Sequence, residues 1–366
     1  MKKKKLKINI SKLSIGGMER SFLNFLNMSN LSNDYDITVL IGYVTDQKLL
    51  KQIPKNINYH IIAKKWNIVG KVRAILYLVF SIIRAKISRN QYDCAIAYSY
   101  QHGSLARLTR LESTNNIIFI HTDLLKSRSP KQLKHLIRKT KFNHFSKVIC
   151  VSDSAAKSFK KIFPNFQGKI FTINNFIDYL DIVQKSKEPV NFQKRTTTLL
   201  NVCRHENDKN KKVSRILKAA KRLKDEGNTF EILLIGSGKE DLRYKKYIDA
   251  NKLSDYVKML GPKSNPFPYF LQSDAIIISS SYEGYGIVID EARVLKIPII
   301  STDIGDAKQI LSQGYGILCD NSSNGVYEGI KTFLKTPRNY NHNFSAKNFN
   351  DRINQKLHEA IYEKSE

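Results

Sequence analysis

Short runs of apolar, β-branched residues alternate along the chain with segments whose apolar positions recur at helical spacing. The short runs carry few polar residues, which is typical of parallel strands covered on both faces. Such alternation predicts a doubly wound α/β fold. In the first half the predicted strands are Leu6–Ile10, Ile37–Ile41, Tyr59–Ile62, Cys94–Tyr98, Ile117–His121, Lys147–Val151 and Lys169–Ile173, and the predicted helices are Met18–Asn27, Lys71–Ile87, Pro130–Lys141 and Asp153–Ile162.

The alternation pauses at Val183–Arg195, a polar stretch without periodicity, which predicts an interdomain linker. A second alternation follows it and predicts a second α/β domain. We therefore expect Rossmann-like domains at 1–185 and 197–345, a linker at 186–196, and a helix at 346–366 that returns to the first domain. A ligand cleft is expected at the carboxyl ends of the strands, where the two domains face each other.

The second half contains nine predicted strands and helices before the last helix. The predicted strands are Thr198–Val202, Glu231–Ile235, Val257–Leu260, Ala275–Ser279, Pro298–Ser301 and Gly316–Leu318, and the predicted helices are Val213–Glu226, Asp241–Asn251 and Gly286–Leu295.

The large excess of basic over acidic residues indicates an anionic partner. The 366 residues include 61 Lys and Arg but 32 Asp and Glu, a formal net charge of +29, and 42% hydrophobic residues exclude a mainly disordered chain. Residues 1–190 hold 33 basic and 11 acidic side chains, so the partner is expected to meet the N-terminal half. Nucleic acid, a phosphate-rich ligand and an acidic membrane surface all remain open at this point.

The four cysteines form no Cys-x-x-Cys pair, which favours buried free thiols in a reducing cytosol. The longest charge-free apolar run, Ala74–Ile83, is far below the roughly 20 residues of a membrane-spanning helix. The apolar stretch after the first lysines is too interrupted for a signal peptide. We expect a cytoplasmic chain, peripheral at the inner face of the cell membrane.

The segment Ser280–Ala292 carries the most informative chemistry. It follows a predicted buried strand and opens a helix, and its glycines allow a tight turn whose backbone N–H groups can face a phosphate. Glu283 lies in the turn, and Glu291 follows roughly 7 Å along the helix. Two carboxylates so placed can hold hydroxyls on either side of a bound pyrophosphate, as in a nucleotide sugar. The alternative is a pair of solvated glutamates stabilised by the helix dipole.

This segment resembles the Glu–seven residues–Glu motif of the retaining family-4 glycosyltransferases, which have the GT-B fold of two Rossmann-like domains. The resemblance implies that Glu283 contacts donor-sugar hydroxyls and Glu291 the ribose hydroxyls. It also implies that the amides of Gly284, Tyr285 and Gly286 line the sugar and phosphate.

A departing diphosphate needs positive charge beside it, and the loop after Thr198–Val202 supplies Arg204 and Lys209. An Arg followed by a Lys five residues later is similar to the family's pattern in this loop. Lys211 and Lys212 stand close by, so Lys209 is the less secure assignment, and a solvated lysine run is the alternative.

Two sites in the first domain also resemble the family. Gly16 and Gly17 join a strand to a helix like the family's Gly-Gly-x-Glu loop, and Glu19 either belongs to the site or caps its helix. His121 ends a predicted strand, and the resemblance implies a supporting catalytic hydrogen bond to the transferred sugar. His102 is a weaker candidate.

Other motifs are given structural interpretations. Asp34-Tyr35-Asp36 precedes a strand and predicts a turn rather than a metal site, and Gly236-Ser237-Gly238 predicts a structural turn. Asn175 resembles a junction residue of the family. No metal and no cofactor are expected, because cationic side chains take the metal's place.

Helices Lys71–Ile87 and Pro130–Lys141 carry apolar stripes with basic flanks. Each stripe alone is typical of a core-facing helix, whereas together the helices suggest a surface lying on anionic lipid.

These patterns lead to one hypothesis for function. It is a retaining glycosyltransferase that moves a sugar from a nucleoside diphosphate sugar, UDP-linked, to a hydroxyl of a lipid-linked oligosaccharide in bacterial surface polysaccharide assembly. A nucleotide-sugar epimerase of the same fold and a basic nucleic-acid-binding protein are the alternatives, and the hypothesis expects no nucleic-acid partner.

Overall fold

The computed structural model divides the chain into two compact units, each built on one parallel sheet. The first unit contains Met1–Ile177 and Asn348–Glu366, and the second contains Asp178–Lys347. The prediction of two doubly wound, Rossmann-like domains is confirmed. The structure describes residues 2–14, 16–63, 67–88, 91–100, 103–335 and 340–362.

Seven parallel strands form the sheet of the first unit in the order β3-β2-β1-β4-β5-β6-β7. The strand Lys4–Leu13, third in this order, buries Leu6, Ile8 and Ile10 completely, and Asn9 between them is also buried, because helices cover both faces. The strand order reverses between β1 and β4. The strands are β1 (Lys4–Leu13), β2 (Tyr35–Val44), β3 (Asn58–Ala63), β4 (Cys94–Ala97), β5 (Asn116–Ile120), β6 (Lys147–Cys150) and β7 (Lys169–Thr172).

The helices of the first unit begin where the sequence supplies caps. Ser152 accepts from the backbone N–H of Ala155, and Ser129 forms a capping box with Gln132 ahead of Pro130. The helices are α1 (Gly17–Met28), α2 (Leu31–Asp34), α3 (Ile68–Ile87), α4 (Gly103–Glu112), α5 (Leu124–Ser127), α6 (Pro130–Thr140) and α7 (Asp153–Ile162), with short 3₁₀ turns at Gln47–Gln52 and Phe142–His144.

Six parallel strands form the sheet of the second unit in the order β10-β9-β8-β11-β12-β13, which reverses between β8 and β11. Leu199, Ile216 and Leu234 belong to its core cluster. The strands are β8 (Thr198–Val202), β9 (Glu231–Ile235), β10 (Val257–Gly261), β11 (Ala275–Ile278), β12 (Ile299–Thr302) and β13 (Gly316–Cys319), and the helices are α8 (Tyr179–Ser186), α9 (Val213–Asp225), α10 (Asp241–Ala250), α11 (Phe267–Leu271), α12 (Ile287–Val294), α13 (Ala307–Ile310) and α14 (Ser323–Lys335).

The last helix, α15 (Ala346–Tyr362), belongs with the first unit from Asn348 onward, as predicted. Its Asn350 donates to the carbonyl oxygen of Ile177 at 2.8 Å and accepts from the N–H of Ile177 at 3.0 Å. The end of the first unit is thereby tied to the terminal helix.

Two local predictions, those for Val183–Arg195 and for Asp34–Asp36, differ from the structure. The stretch Val183–Arg195 lies inside the second unit, and its first four residues end α8, because an apolar turn there packs on α11 and α12. Asp34 ends α2 and Asp36 already belongs to β2, so no separate turn forms; the buried Tyr35 between them starts the strand.

The two basic helices also behave differently from each other. In α6, Leu136 is buried and Leu133 packs partly against the core, as expected of a core-facing stripe. In α3 the predicted apolar stripe, Val72 to Ile83, is exposed, so the core-facing interpretation of this helix is wrong. The opposite face of the helix packs on the rest of the first unit, through the buried Gly70, Ala74 and Ala85 and the partly buried Leu78 and Ile82.

The cysteines are free thiols, as expected. Cys94, Cys150 and Cys319 are buried and Cys203 is partly buried. Burial raises the pKa of each thiol to about 12, so all of them stay protonated at neutral pH.

Candidate functional site

Two loops meet at the carboxyl edge of the second sheet, where the strand order reverses. One follows β8 and carries Arg204, and the other follows β11 and carries Glu283. The N–H of Ser281 donates to the carbonyl oxygen of Asn210 at 2.7 Å, and the hydroxyl of Ser279 donates to the carbonyl oxygen of Lys211 at 2.9 Å. Such a switch point is where open α/β sheets bind ligands.

An ion pair joins the same two loops. Lys211 Nζ lies 2.5 Å from Glu283 Oε1, and Ser280 Oγ donates to the same oxygen at 2.7 Å. The two charged side chains are 27% and 16% exposed. Burial alone lowers the pKa of Lys211, but the adjacent Glu283 carboxylate outweighs it and the pKa is raised. Lys211 is therefore a permanent cation beside Glu283.

The structure distinguishes the lysines of this loop. Lys211 contacts Glu283, whereas Lys209 is exposed, and the predicted diphosphate contact of Lys209 stays a prediction. Arg204 is exposed as well, and its positive charge opposes, without reversing, the rise in the pKa of Lys211 that Glu283 causes. Arg204, Lys209, Lys211 and Lys212 thus belong to one loop that borders Glu283.

The Gly236–Gly238 turn fixes the backbone around Arg204. A Cβ on Gly236 would overlap the carbonyl oxygen of Cys203, and one on Gly238 would overlap the backbone of His205. His205 is fully buried, its N–H donates to the carbonyl oxygen of Ser237 at 2.9 Å, and its Nδ1 lies 2.6 Å from Asp241 Oδ1. The turn is structural, as interpreted from the sequence: it packs against the backbone of Cys203 and His205 and so fixes the loop that carries Arg204.

The glycine-rich segment after Glu283 starts α12. Gly286 has φ 92°, a left-handed conformation that favours glycine, and it precedes the first helical residue. Gly305 has φ 50° and lies so close to the loop that a Cβ would be 2.9 Å from the carbonyl oxygen of Tyr285. The amides of Gly284 and Tyr285 are thereby held at the helix start.

Behind this loop the side chains are buried. Tyr285 is 4% exposed, and burial together with the charge of Asp290 raises its pKa well above the usual value. Asp290 pairs with Arg293 at 2.8 Å, and Glu291 is 5% exposed. The side chain of Tyr285 therefore belongs to the interior, and only its backbone is placed to contact a ligand.

Sequence reasoning missed the residues that brace this edge. Arg215 NH1 donates to the carbonyl oxygen of Ser279 at 3.0 Å and to Asn321 Oδ1 at 2.7 Å, and Asn321 Nδ2 donates to the carbonyl oxygen of Ser281 at 2.9 Å. Arg215 and Asn321 are 106 positions apart. Nothing in local spacing indicates such a contact.

In the first unit the predicted glycines lie at the carboxyl end of β1. Gly16 precedes α1, and Gly17 is its first residue and exposed. Glu19 is buried and does not cap the helix: Ser14 Oγ donates to its Oε1 at 2.8 Å, and Lys12 Nζ lies 3.6 Å from the same oxygen. The capping interpretation of Glu19 is therefore wrong.

His121 directly follows β5, as predicted. Its Nε2 donates to the carbonyl oxygen of Tyr98 at 2.7 Å, and burial lowers its pKa to about 4. The ring is neutral at pH 7, and because Nε2 holds the proton, Nδ1 carries the lone pair. The hydroxyl of Tyr98 contacts Ser21 Oγ at 2.8 Å, and Ser21 donates to Asn175 Oδ1 at 2.5 Å. His102 lies outside the described residues.

The described part of the chain has neither a cluster of metal ligands nor a membrane-spanning helix. No three His, Cys, Asp or Glu side chains come together as metal ligands among these residues. No helix among them is sufficiently long and apolar to cross a bilayer.

Comparison with known families gives two adjoining matches. The model described as Glycosyltransferase Family 4 matches residues 15–179, and the model described as Glycosyl transferases group 1 matches residues 183–351. The first falls on the unit that carries Gly16, Gly17 and His121, and the second on the unit that carries Arg204 and Glu283.

Among similar curated proteins is an uncharacterized glycosyltransferase of Methanocaldococcus jannaschii, 24% identical over 161 residues, which cover 43% of this chain and 39% of that protein. Another, from Campylobacter jejuni, is N-acetylgalactosamine-N,N'-diacetylbacillosaminyl-diphospho-undecaprenol 4-alpha-N-acetylgalactosaminyltransferase, 23% identical over 350 residues, or 90% of both chains. Anabaena HepE, solved in complex with UDP and glucose, has a TM-score of 0.75, 16% identity, and covers 99% of this chain and 100% of its own. At that identity the structural likeness shows the GT-B fold alone.

Proposed function

Because the chain belongs to the glycosyltransferases of GT-B fold, we propose that it transfers a sugar from a nucleoside diphosphate sugar to a hydroxyl acceptor. One observation carries this proposal: the loops of Arg204 and Glu283 meet at the switch point of the second sheet and are joined there by hydrogen bonds and an ion pair. The Glu283 carboxylate and a group of cations thereby lie beside a helix start. A nucleotide sugar needs these three features in one place.

In the proposed complex Glu283 binds hydroxyls of the donor sugar. Lys211 and Ser280 both contact its Oε1, so Oε2 is the oxygen that we expect to accept from the sugar. Glu291 is proposed to accept from the ribose hydroxyls, and the amides of Gly284 and Gly286 to face the sugar and the phosphates.

The proposed reaction retains the anomeric configuration. The diphosphate leaves on the face that the acceptor enters, Arg204 and Lys209 stabilise its developing charge, and a phosphate oxygen takes the acceptor's proton. His121 has a supporting task. Since its Nδ1 is an acceptor, it can receive a hydrogen bond from a donor-sugar hydroxyl but cannot protonate the leaving group at neutral pH.

The finer assignments rest on the relatives. Anabaena HepE was solved with UDP-glucose and with UDP, which favours a UDP-linked donor here. The name of the Campylobacter relative contains a diphospho-undecaprenol-linked acceptor, and an Erwinia relative is named for amylovoran biosynthesis. We therefore propose a lipid-linked glycan acceptor in bacterial surface polysaccharide synthesis, at an anionic membrane surface on the cytoplasmic side.

A donor screen tests this function. Purified protein is incubated with individual UDP-, GDP- and ADP-sugars, with and without a bacterial membrane lipid extract, and nucleotide release is measured. We expect release from UDP-sugars that increases with the extract, and an α-linked product from an α-linked donor in NMR spectra. An altered sugar nucleotide formed without acceptor indicates an epimerase instead, and an inverted product refutes the retaining mechanism.

A further inference from the structure

Helix α3 turns its large apolar side chains toward solvent. Within the first unit it packs on α4 and β3 through the buried Gly70, Ala74 and Ala85 and the partly buried Leu78 and Ile82, and its other large apolar side chains are exposed. This is the reverse of an ordinary surface helix, whose large apolar residues face the core. Nine large apolar side chains of the helix are 50% to 80% exposed: Ile68, Val69, Val72, Ile75, Leu76, Val79, Phe80, Ile83 and Ile87.

These side chains form one continuous strip. At about 100° per residue they occupy an arc of roughly 140°, and the 20-residue helix is about 30 Å long. A shallow hollow at its first half is lined by Ile68, Val69, Val72, Arg73, Leu76 and Tyr77. Contiguous apolar strips of this kind on a surface mark binding sites for proteins or membranes.

The charges of the helix select between these two partners. The sequence of α3 contains Lys71, Arg73, Arg84 and Lys86 and no acidic residue. At the same angular spacing Lys71 borders one side of the strip and Arg73 and Arg84 the other, whereas Lys86 falls within the arc of the strip at the end of the helix. Cations on both sides of an apolar strip, with stems that can extend along it, match the plane between anionic headgroups and acyl chains.

We propose that α3 lies in the interface of an anionic lipid bilayer, with its apolar strip inserted and its four cations at the headgroups. The inner face of the helix is occupied by α4 and β3, so only the strip is available for insertion. The proposal rests on the proposed function, since it names the element through which the enzyme meets its membrane.

The topology gives this insertion a consequence for the acceptor. In the first unit α3 follows the carboxyl end of β3, and Gly16 and His121 follow the carboxyl ends of β1 and β5 in the same parallel sheet. The start of α3 is therefore at the same edge of the sheet as both candidate residues. An inserted α3 holds this edge at the bilayer surface, where the head of a lipid-linked acceptor lies.

Insertion is measured with a dye attached at one position. The Phe80→Cys protein is labelled at the new cysteine with an environment-sensitive fluorophore. The matched control is Leu242→Cys on α10, labelled in the same way, because the Leu242 side chain is 66% exposed in the wild type. Vesicles of phosphatidylglycerol and phosphatidylethanolamine are expected to shift the emission of the Phe80→Cys protein to the blue and leave the Leu242→Cys protein unchanged. Equal shifts, or none in either protein, overturn the proposal.

A second measurement uses binding. Leu76→Asp with Phe80→Asp is expected to lower the partition coefficient on the same vesicles about tenfold or more, and Leu242→Asp to leave it unchanged. Phosphatidylcholine vesicles and high salt are expected to weaken wild-type binding. Wild-type-like vesicle binding by the double variant overturns the proposal. It is also overturned if both proteins bind vesicles equally and sedimentation velocity shows that the wild type forms a concentration-dependent dimer that the double variant does not form.

The outcome is separable from the proposed function. Donor turnover with a water-soluble acceptor is expected to be the same in the double variant and the wild type, while turnover with vesicle-embedded acceptor falls. Loss of vesicle binding with turnover intact supports α3 insertion, whereas a wild-type chain that binds vesicles but turns over no donor refutes only the proposed function.

Discussion

The Lys211–Glu283 ion pair gives the most quantitative prediction for the candidate site. Lys211→Met removes the charge and keeps most of the stem. A hydrogen bond between charged groups contributes about 1.5–3 kcal/mol, and because the two side chains are 27% and 16% exposed, solvent screening favours the lower part of that range. We expect a coupling free energy of ~2 kcal/mol between Lys211 and Glu283.

A double-mutant cycle isolates this coupling. The free energy of unfolding is measured for the wild type, Lys211→Met, Glu283→Gln and the double variant by urea titration. The matched cycle uses Lys209→Met, because Lys209 is exposed and stands two residues away in the same loop. Its coupling to Glu283 is expected below ~0.5 kcal/mol. Equal couplings in both cycles, or a larger one for Lys209, would refute the assignment of the ion pair.

Four further predictions concern other parts of the fold. Folding lowers the pKa of His121 from 6.5 to about 4, so stability should fall by ~3 kcal/mol as pH drops through this range, and His121→Asn should remove that slope in urea titrations. Burial raises the pKa of Glu112 from 4.5 to about 7, so its contribution has the opposite sign: stability should fall by ~3 kcal/mol as pH rises from 4.5 to 7, and Glu112→Gln should flatten it. Gly286→Ala should lower the free energy of unfolding by ~1–2 kcal/mol through backbone strain, add a close contact between the new Cβ and Ile289, and reduce donor turnover. The control Gly227→Ala has φ 78° and open space around it, so it should cost the backbone strain alone and leave donor turnover unchanged. Asn350→Ala should lower the free energy of unfolding by ~2 kcal/mol, since it leaves the N–H and carbonyl of one buried residue unpaired; an unchanged value in urea titration contradicts this.

The regular elements of the fold are predictable because their signal is local. β8 and β9 have the predicted bounds, since each is a short apolar run between polar loops. Helix α14 was missed because Gly325 and Gly329 weaken its pattern, yet both glycines are needed where the helix packs closely on Asp320 and Cys319. The last four residues of α8 fall in the predicted linker Val183–Arg195, because the helix packs on α11 and α12 and the local sequence does not reveal that packing.

The candidate site was predictable in its loops and less so in its contacts. Glu283, Glu291 and the glycines between them predict a strand–turn–helix junction, and the structure has one there. The choice among Lys209, Lys211 and Lys212 depends on where each side chain points, and spacing cannot supply that. For α3 the sequence left a core-facing stripe and a lipid-facing surface open for a related reason: helical periodicity shows that one face is apolar but not what that face contacts.

The central claim is that Glu283 and Arg204 together handle a nucleotide sugar, and donor turnover by single variants tests it most directly. Nucleotide release from the best UDP-sugar, with lipid extract as acceptor, is compared among the wild type, Glu283→Ala and Arg204→Ala, with circular dichroism to confirm folding. The account predicts that each variant loses about 100-fold or more in rate while remaining folded. Folded variants that both turn over within about threefold of the wild type would contradict it.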